Sequence, residues 1–353
     1  MKLLMITRKV DKDDGLAGFT FNWVNKIGSQ VEKLTVVCLE KGDIEGLHKN
    51  IKIFSVRGKK INNVFLRKIK DFFIFQKLVF KNIRKINGIF CHMNPEYTIS
   101  VWPQAKLFNK KIVSWYAHKQ ITLRLRLLEK MADKILTPSK ESFRLKSKKI
   151  KITGHGIDIE KFKPSENKSQ NDIFSIISVG RISPTKNLET LIKAINVLVN
   201  KKNIKDINLK IIGEPGLKNH ETYFESLKEM VEKMNLQSYI KFIGSIPNKL
   251  IPEKLTVSDI FINLSNTGSV DKAILEAMSS EVIPITSNVA FNNILKQELL
   301  TKQHNHEMLA QKIINIKNKS REDKEILQKN LRKIVTENHN LNNLVAKIVK
   351  SFN

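Results

Sequence analysis

The sequence contains only two cysteines and 14 glycines in 353 residues, and it has far fewer acids than bases. Both cysteines, Cys38 and Cys91, stand inside apolar runs, which excludes a disulfide framework and a cysteine-based zinc cluster and favours a reducing compartment. No run of 18 apolar residues occurs, so no helix is expected to span a bilayer. The apolar start, residues 3–6, is too short for a signal peptide and is typical of a first strand. We therefore expect a cytoplasmic protein.

The shortage of acids is concentrated in the first half of the chain. The sequence carries 62 Lys and Arg against 34 Asp and Glu, a net charge of +28. Residues 1–164 hold 35 of these bases and 14 of the acids, whereas residues 165–353 hold 27 and 20. Lysine-rich codon usage would explain much of the total, because 52 of the bases are Lys, but it would not explain the asymmetry. A basic surface attracts nucleic acid, anionic lipid or anionic substrates.

The basic excess is densest over residues 57–87. Between residues 64 and 86, apolar side chains recur at helical spacing, bases stand on the opposite side, and Asp71 is the only acid. The apolar positions are Phe65, Ile69, Phe72, Val79, Ile83 and Ile86, and the basic positions are Arg67, Lys70, Lys77, Lys81 and Arg84. Such a helix either covers a core with its apolar side or lies on an anionic membrane. The two interpretations are compatible if only part of the apolar surface of the helix is buried in the core.

Twelve short β-like runs alternate with helical patterns, which predicts parallel βαβ units of the α/β class. The runs are residues 3–6, 34–39, 51–56, 88–91, 112–115, 135–137, 150–152, 175–179, 209–212, 240–243, 260–264 and 282–285. Residues 164–171 have the polar composition of an interdomain linker. We predict two doubly wound domains, residues 1–164 and 165–337, followed by a terminal helix within residues 338–353.

The few glycines stand at informative places. Gly180, Gly213 and Gly244 each follow a strand-like run, and Gly15 and Gly18 precede the first helix. The carboxyl ends of parallel strands form the ligand crevice, and glycine lets backbone approach a ligand. Packing alone explains any one of these glycines, but the five together favour one ligand face.

A pair of cations follows the strand at residues 175–179. Arg181 and Lys186 stand between the end of this strand and a helix. A guanidinium grips phosphate with two hydrogen bonds, and an ammonium supplies a point charge. The two would neutralise a diphosphate leaving group, although two surface cations near a helix start are also common.

A second motif covers residues 266–278, after the strand at 260–264. Backbone N–H groups in the first turn of its helix form an anion site that Gly268 lets a ligand approach. We expect Ser269 to cap this helix, with Asp271 in the first turn. Glu276 lies among apolar residues, where ribose hydroxyls or a neighbouring Lys would supply donors to its carboxylate.

These motifs, in this order, resemble the retaining family 4 glycosyltransferases of GT-B fold, and the likeness extends over about residues 1–340. The resemblance is carried by residues 180–187, Leu275-Glu276-Ala277-Met278, Gly156-Ile157-Asp158 with Phe162 and Pro164, Glu129 with Ala132-Asp133, and Thr137-Pro138-Ser139. It implies two Rossmann-like domains, an acceptor-side domain over residues 1–164 and a nucleotide-sugar-binding domain over residues 165–337, with a nucleotide sugar in the cleft between them. It also implies that the terminal helix returns to the first domain.

The resemblance further implies roles for single residues. Arg181 and Lys186 would hold the diphosphate and Glu276 the ribose, while the turn at residues 268–271 would face the phosphates and the sugar. The loop from Gly15 to Gly18 would lie near the phosphates and the acceptor. His118 would lie beside the donor sugar, and without the resemblance it would be read as a structural histidine.

One position departs clearly from the family. The usual acid eight residues before the helix glutamate is here Gly268, so we expect Asp271 or Lys272 to take its place. The departure leaves the donor open and motivates an alternative, a non-catalytic nucleotide-sugar-binding or partner-binding relative.

The expected function is transfer of a sugar, with retained anomeric configuration, from a nucleotide-diphosphate sugar to a glycan, lipid-linked or lipopolysaccharide-type acceptor in cell-envelope polysaccharide biosynthesis. No metal or other cofactor is expected, and Asp11-Lys12-Asp13 is interpreted as a solvated loop. Residues 64–86 are the candidate contact with the inner face of the cell membrane. A nucleic-acid-binding protein is the further alternative, from the pI of about 9.9, but no motif of that class supports it.

Overall fold

The computed structural model describes residues 1–14, 18–57, 63–165 and 172–353. Twelve strands occur in these residues, and each coincides with one of the β-like runs of the sequence. Gly15 and residues 166–171 of the predicted linker lie outside the described residues.

The chain forms two compact units. One comprises Met1–Asp158, Pro247–Lys249 and His339–Asn353, and the other comprises Ile159–Ile246 and Leu250–Asn338. The division after Asp158 comes six residues before the predicted boundary, because hydrogen bonds tie the following segment to the second unit. The carbonyl of Phe162 accepts from Arg332 Nη1 over 3.1 Å and from Ser279 Oγ over 2.5 Å.

The first unit is built on a seven-stranded parallel sheet of order β3-β2-β1-β4-β5-β6-β7. Its strands are β1 (Lys2–Val10), β2 (Lys33–Lys41), β3 (Ile51–Ser55), β4 (Gly88–His92), β5 (Lys111–Trp115), β6 (Lys134–Thr137) and β7 (Ile150–Ile152). Its helices are α1 (Gly18–Gly28), α2 (Val64–Ile83), α3 (Pro95–Leu107), α4 (Leu123–Met131) and, from the end of the chain, α11 (Leu341–Lys350). The strand order reverses between β1 and β4, which is the switch point of a doubly wound sheet.

Helices cover both faces of this sheet. On one face α1 and α11 share a core in which Trp23 packs with Leu344 and Ile348, all at most 2% exposed. On the other face α2 and α3 contribute Val79, Ile83 and Val101 to a second core. The terminal helix therefore completes the core of the first unit.

Helix α2 is only half covered. Val79 and Ile83 in its second half are buried, whereas in its first half Phe65 is 70% exposed and Phe73 is 66% exposed. Val64, Leu66, Ile69 and Phe72 in the same first half are also exposed. The apolar stripe that the sequence predicts is thus divided along the helix, with its first half in solvent. None of the described helices is both long and apolar enough to cross a bilayer.

The second unit is built on a five-stranded parallel sheet of order β10-β9-β8-β11-β12. Its strands are β8 (Phe174–Val179), β9 (Ile207–Ile212), β10 (Ile240–Gly244), β11 (Ile260–Asn263) and β12 (Ile283–Thr286). Its helices are α5 (Leu188–Asn196), α6 (Glu221–Lys233), α7 (Ile251–Thr256), α8 (Lys272–Ser279), α9 (His306–Lys317) and α10 (Arg321–Asn338). The order reverses between β8 and β11, so this sheet has its own switch point.

Candidate functional site

The two motifs that the sequence singles out meet at the switch point of the second sheet. One follows β8 and the other follows β11, and these strands are neighbours. Gly180, Arg181, Lys186 and Asn263 line one small recess there. Ligands of doubly wound sheets bind at this place, outside the carboxyl ends of the strands.

Two glycines follow the neighbouring strands β8 and β9, and the first of them, Gly180, lines the recess. Gly180 has φ +150° and Gly213 has φ +143°, values that L side chains rarely adopt. A Cβ on Gly213 would lie 1.9 Å from the carbonyl oxygen of Gly180, and one on Gly180 would lie 3.3 Å from Cε of Lys186. The loops after β8 and β9 therefore pack backbone against backbone, with the Lys186 side chain directly above.

Arg181 stands at the rim of the recess. Its side chain rests on Gly216, where a Cβ would lie 2.8 Å from Arg181 Cδ. Arg181 is exposed, and within the described part of the chain its guanidinium makes no ion pair. It can therefore bind an anion without first giving up a partner. Gly216 is not among the residues predicted from the sequence, where its only signal is its place after Pro215 in the loop behind β9.

Lys186 is held by a carboxylate. It ends the short 3-10 turn Pro184–Lys186, and Asn187, with φ +50°, turns the chain from there into α5. Lys186 Nζ donates to Asp271 Oδ2 over 2.7 Å, and the two side chains are 20% and 16% exposed. This contact joins the two sequence motifs.

Asp271, and not Ser269, caps helix α8. Asp271 Oδ1 accepts from the backbone N–H of Ala273 over 3.2 Å, and Oδ2 accepts from Asn263 Nδ2 over 3.1 Å. The prediction for Ser269 is wrong because Val270 is buried, which ties the chain to the core between Ser269 and the helix. Burial favours the neutral acid, but Lys186, Asn263 and the Ala273 N–H outweigh it, so the pKa of Asp271 lies below its usual value.

Glu276 lies one turn further along α8 and is 7% exposed. Its Oε1 is 3.3 Å from Lys272 Nζ, so it has the lysine partner that the sequence offers as one alternative. Burial raises the pKa of Glu276 above its usual value, although Lys272 and the more distant Lys161 oppose this. A carboxylate that is poorly solvated and weakly paired favours additional hydrogen-bond donors.

Asn263 is a site residue that is not among those predicted from the sequence. It is 3% exposed at the end of β11, and its Oδ1 accepts from the backbone N–H of Ser265 over 3.0 Å. It thereby fixes both the loop after β11 and the Asp271 carboxylate. The available signal was a polar residue at the end of an otherwise apolar strand.

The remaining predicted residues divide between the two units. Gly268 lies in the second unit with φ +63°, and the carbonyl of Ser269 accepts from Asn288 Nδ2 over 2.8 Å. Gly18 begins α1 in the first unit, and Gly15 lies outside the described residues. His118 is in the loop after β5, also in the first unit, and lines a cavity there.

The acids of the Asp11-Lys12-Asp13 loop have lysine partners. Asp11 lies 2.9 Å from Lys9 Nζ, and Asp13 lies 2.7 Å from Lys249 Nζ. Across the described ranges, no group of three or more His, Cys, Asp and Glu side chains is placed to hold a metal ion.

Residues 158–334, half of the chain, match the family model of the glycosyl transferases group 1. The chain belongs to this family. Among curated proteins it is 31% identical over 156 residues to an Escherichia coli UDP-Gal:alpha-D-GlcNAc-diphosphoundecaprenol alpha-1,3-galactosyltransferase, covering 42% of this chain and 38% of that protein. It is 28% identical over 142 residues to a phosphatidylinositol N-acetylglucosaminyltransferase component from Arabidopsis thaliana, covering 40% of this chain and 30% of that protein. The chain thus spans well under half the length of these curated relatives.

Solved structures agree with the fold over the whole chain. HepE of Anabaena, crystallised in complex with UDP and glucose, superposes with a TM-score of 0.78 at 16% identity and 99% coverage of both chains. WaaG, a glycosyltransferase of lipopolysaccharide biosynthesis, gives a TM-score of 0.71 at 13% identity, again with 99% coverage of both. The predicted GT-B glycosyltransferase fold, with two parallel doubly wound sheets, is confirmed.

Proposed function

We propose that this protein is a retaining glycosyltransferase, which moves a sugar from a nucleotide-diphosphate sugar to a glycan, lipid-linked or lipopolysaccharide-type acceptor in cell-envelope polysaccharide biosynthesis. The observation that carries the proposal is the recess shared by Arg181 and Lys186 at the switch point of the second sheet. Family membership supports the reaction class. The galactosyltransferase named for a lipid-diphosphate acceptor and the lipopolysaccharide enzyme WaaG support the acceptor class.

The proposed chemistry is stabilisation of the leaving group. As the bond between the sugar and the β-phosphate breaks, negative charge grows on that phosphate. Arg181 and Lys186 receive this charge, helped by the backbone N–H groups in the first turn of α8. An ammonium has three donors, so Lys186 can bond to Asp271 and to phosphate oxygens together. Glu276 accepts from the ribose hydroxyls, and no metal ion takes part.

Retention follows, in this proposal, from departure and attack on one face of the sugar. The bond from C1 of the sugar to the β-phosphate oxygen breaks, and a bond from C1 to the acceptor oxygen forms. The proton of the acceptor hydroxyl passes to the departing phosphate. His118 is assigned a place beside the donor sugar.

Asp271 has a different task from the acid that Gly268 replaces. Both of its oxygens are engaged, Oδ1 by the Ala273 N–H and Oδ2 by Lys186 and Asn263. We assign Asp271 as a positioning residue that orients Lys186, and Lys272 as a further cation beside the nucleotide.

The first half of α2 supports contact with an anionic membrane. Its exposed apolar side chains include Phe65, Phe72 and Phe73. The same helix and its end carry seven bases, for which the described residues provide no ion pair. These bases are Arg67, Lys68, Lys70, Lys77, Lys81, Arg84 and Lys85. Exposed aromatic residues beside bases are typical of helices that lie in the headgroup region of a membrane.

A donor screen followed by a transfer assay tests the proposal. One of UDP-, GDP- or ADP-sugars should raise the melting temperature, and the matching radiolabelled donor should pass its sugar to a membrane lipid extract. Proton NMR of the first-formed product should show the anomeric configuration of the donor. Stabilisation without transfer or donor hydrolysis would instead support the non-catalytic relative that Gly268 motivates. No stabilisation by any donor would overturn the proposal.

A further inference from the structure

The carboxylate of Glu276 has charged neighbours both on its own helix and beyond it. On α8, Lys272 Nζ lies 3.3 Å from its Oε1, and Asp271 caps the start of the helix. α8 packs against β11, β12 and α10. β11 and β12 carry no charged side chain, whereas α10 carries Arg332. Further charge comes from the first residues of the second unit, which begins at Ile159.

These first residues of the second unit are fastened to α8. The carbonyl of Phe162 accepts from Ser279 Oγ on α8 over 2.5 Å and from Arg332 Nη1 over 3.1 Å. Arg332 also donates to the carbonyl of Ser279, and its Nη2 lies 3.5 Å from the carbonyl of Ile159. Lys161 stands between the two carbonyls of this segment that Arg332 binds. Its backbone therefore has a fixed place beside α8.

The side chain of Lys161 lies against the protein. Its ammonium is 5.4 Å from the centroid of the Phe162 ring, and Phe162 is 2% exposed. Lys161 is half-buried, whereas its charged neighbours Glu160 and Lys163 are exposed. A charge that is partly shielded from solvent acts on nearby groups more strongly than an exposed charge does.

Glu276 is a group on which this charge acts. Ser279, which holds the segment of Lys161, lies one helical turn after Glu276 on α8. Burial raises the pKa of Glu276, and Asp271 adds to the rise, but the ammonium groups of Lys272 and Lys161 oppose it. The ionised carboxylate accepts hydrogen bonds from both ribose hydroxyls, whereas the protonated acid is a poorer acceptor. Lys161 thereby favours the form of Glu276 that a ribose needs.

We propose that Lys161 is a positioning residue of the nucleotide site, which strengthens the binding of ribose through the charge of Glu276. Lys272 acts on the carboxylate from the helix itself, and Lys161 acts on it from the segment fastened to that helix. The site therefore prefers ribonucleotides to 2′-deoxyribonucleotides, and Lys161 extends this preference into mildly acidic solution. The inference rests on the proposed function, in which Glu276 binds the ribose.

The preference for ribose over deoxyribose isolates this effect. The probes are UDP, GDP and ADP, each paired with its 2′-deoxy form, and titration calorimetry gives the affinities at pH 5, 6, 7 and 8. Both members of a pair carry the same base and the same diphosphate, so the ratio of their affinities cancels the titration of the phosphate. In the wild type, this ratio should be about tenfold or more at pH 8 and should fall as Glu276 is protonated.

Two substitutions of Lys161 separate its charge from its packing. In Lys161→Gln the ratio should start to fall about half a pH unit or more higher, because the pKa of Glu276 rises further. Lys161→Arg keeps the charge and should restore the wild-type curve. Lys163→Gln is the matched control, since Lys163 is exposed two residues further along the same segment, and its curve should equal that of the wild type.

Three results would overturn the inference. The first is a Lys161→Gln curve that coincides with that of Lys163→Gln. The second is a loss in Lys161→Gln that is the same at every pH or that Lys161→Arg does not restore, because such a loss would show a structural role. The third is a wild type that binds both members of each pair equally. Failure of the proposed function would appear instead as a wild type that binds none of the six nucleotides.

Discussion

Lys186 and Asp271 stand 85 residues apart in sequence and form a 2.7 Å ion pair that joins the loop after β8 to the cap of α8. The pair fixes the ammonium above Gly180, at the point where a diphosphate would enter. Arg181, by contrast, makes no ion pair within the described part of the chain. The two cations are therefore prepared differently, one oriented by a carboxylate and one open to an anion.

Replacing Asp271 by Asn should lower kcat roughly tenfold, about 1.4 kcal/mol, because Lys186 loses the charge that orients it. Asn still caps a helix, so the start of α8 should persist. A double-mutant cycle with Lys186→Ala is the decisive measurement. If Asp271 acts through Lys186, adding Asp271→Asn to Lys186→Ala costs no further activity. Fully additive losses would mean that Asp271 acts independently.

Arg181→Ala and Lys186→Ala should each reduce kcat by roughly 10²-fold, since each removes one charged donor from the departing phosphate. Lys193→Ala is the matched control, because Lys193 is exposed on the following helix α5. Steady-state kinetics with the donor found by the thermal screen measure the effect. Turnover near that of the control in both variants would refute the assigned roles.

Glu276→Gln should weaken nucleotide binding roughly tenfold or more, because a charged acceptor for the ribose hydroxyls is lost. Its effect on stability should have the opposite sign. Burial raises the pKa of Glu276 in the folded state, so folding takes up a proton and stability falls as pH rises from about 4.5 through the raised pKa. The variant escapes this fall, and at pH 8 it should melt at a higher temperature than the wild type. Calorimetry gives both quantities, and a variant that binds nucleotide as tightly as the wild type would contradict the role.

The buried His339 should make the protein less stable in mild acid. It is 7% exposed next to α11, and its Nδ1 accepts from the backbone N–H of His155 over 3.0 Å. Burial, with the charge of Lys347, lowers the pKa of His339 from its ordinary 6.5 to about 4. Between pH 6.5 and about 4, His339 is therefore protonated in the unfolded chain but neutral in the folded chain. This difference lowers the free energy of unfolding by about 3 kcal/mol at pH 4.

Urea unfolding at pH 7.5, 5.5 and 4.5 measures this dependence. His339→Gln should flatten it, whereas the exposed control His48→Gln should leave it as in the wild type. An unchanged slope in His339→Gln would show that other groups carry the effect.

The double variant Phe72→Ser, Phe73→Ser should reduce binding to anionic vesicles at least tenfold, because each Phe contributes about 1.5–3 kcal/mol on burial. Leu107→Ser is the control, because Leu107 is also an exposed apolar side chain but belongs to another helix. It is 74% exposed at the end of α3. Co-sedimentation with phosphatidylglycerol and phosphatidylcholine vesicles measures binding. Equal binding to both kinds of vesicle, or binding to neither, would contradict the proposed contact with an anionic membrane.

The sequence predicts all twelve strands because parallel strands covered on both faces are continuous apolar runs. It does not predict which part of α2 is covered, because helical periodicity gives the apolar side of a helix but not how far the helix extends past its neighbours. The sequence also does not predict that Lys186 pairs with Asp271, because a contact across 85 residues depends on which strands become neighbours. The sequence predicts Ser269 as the cap of α8 instead of Asp271, because the burial of Val270 is a tertiary constraint that local sequence does not show.

A crystal structure with the nucleoside diphosphate that stabilises the protein most, among UDP, GDP and ADP, tests the central claim most directly. The account predicts β-phosphate oxygens within about 3.2 Å of the Arg181 guanidinium and Lys186 Nζ, and ribose hydroxyls on Glu276. A diphosphate bound elsewhere, or bound there with both cations turned away, would contradict it.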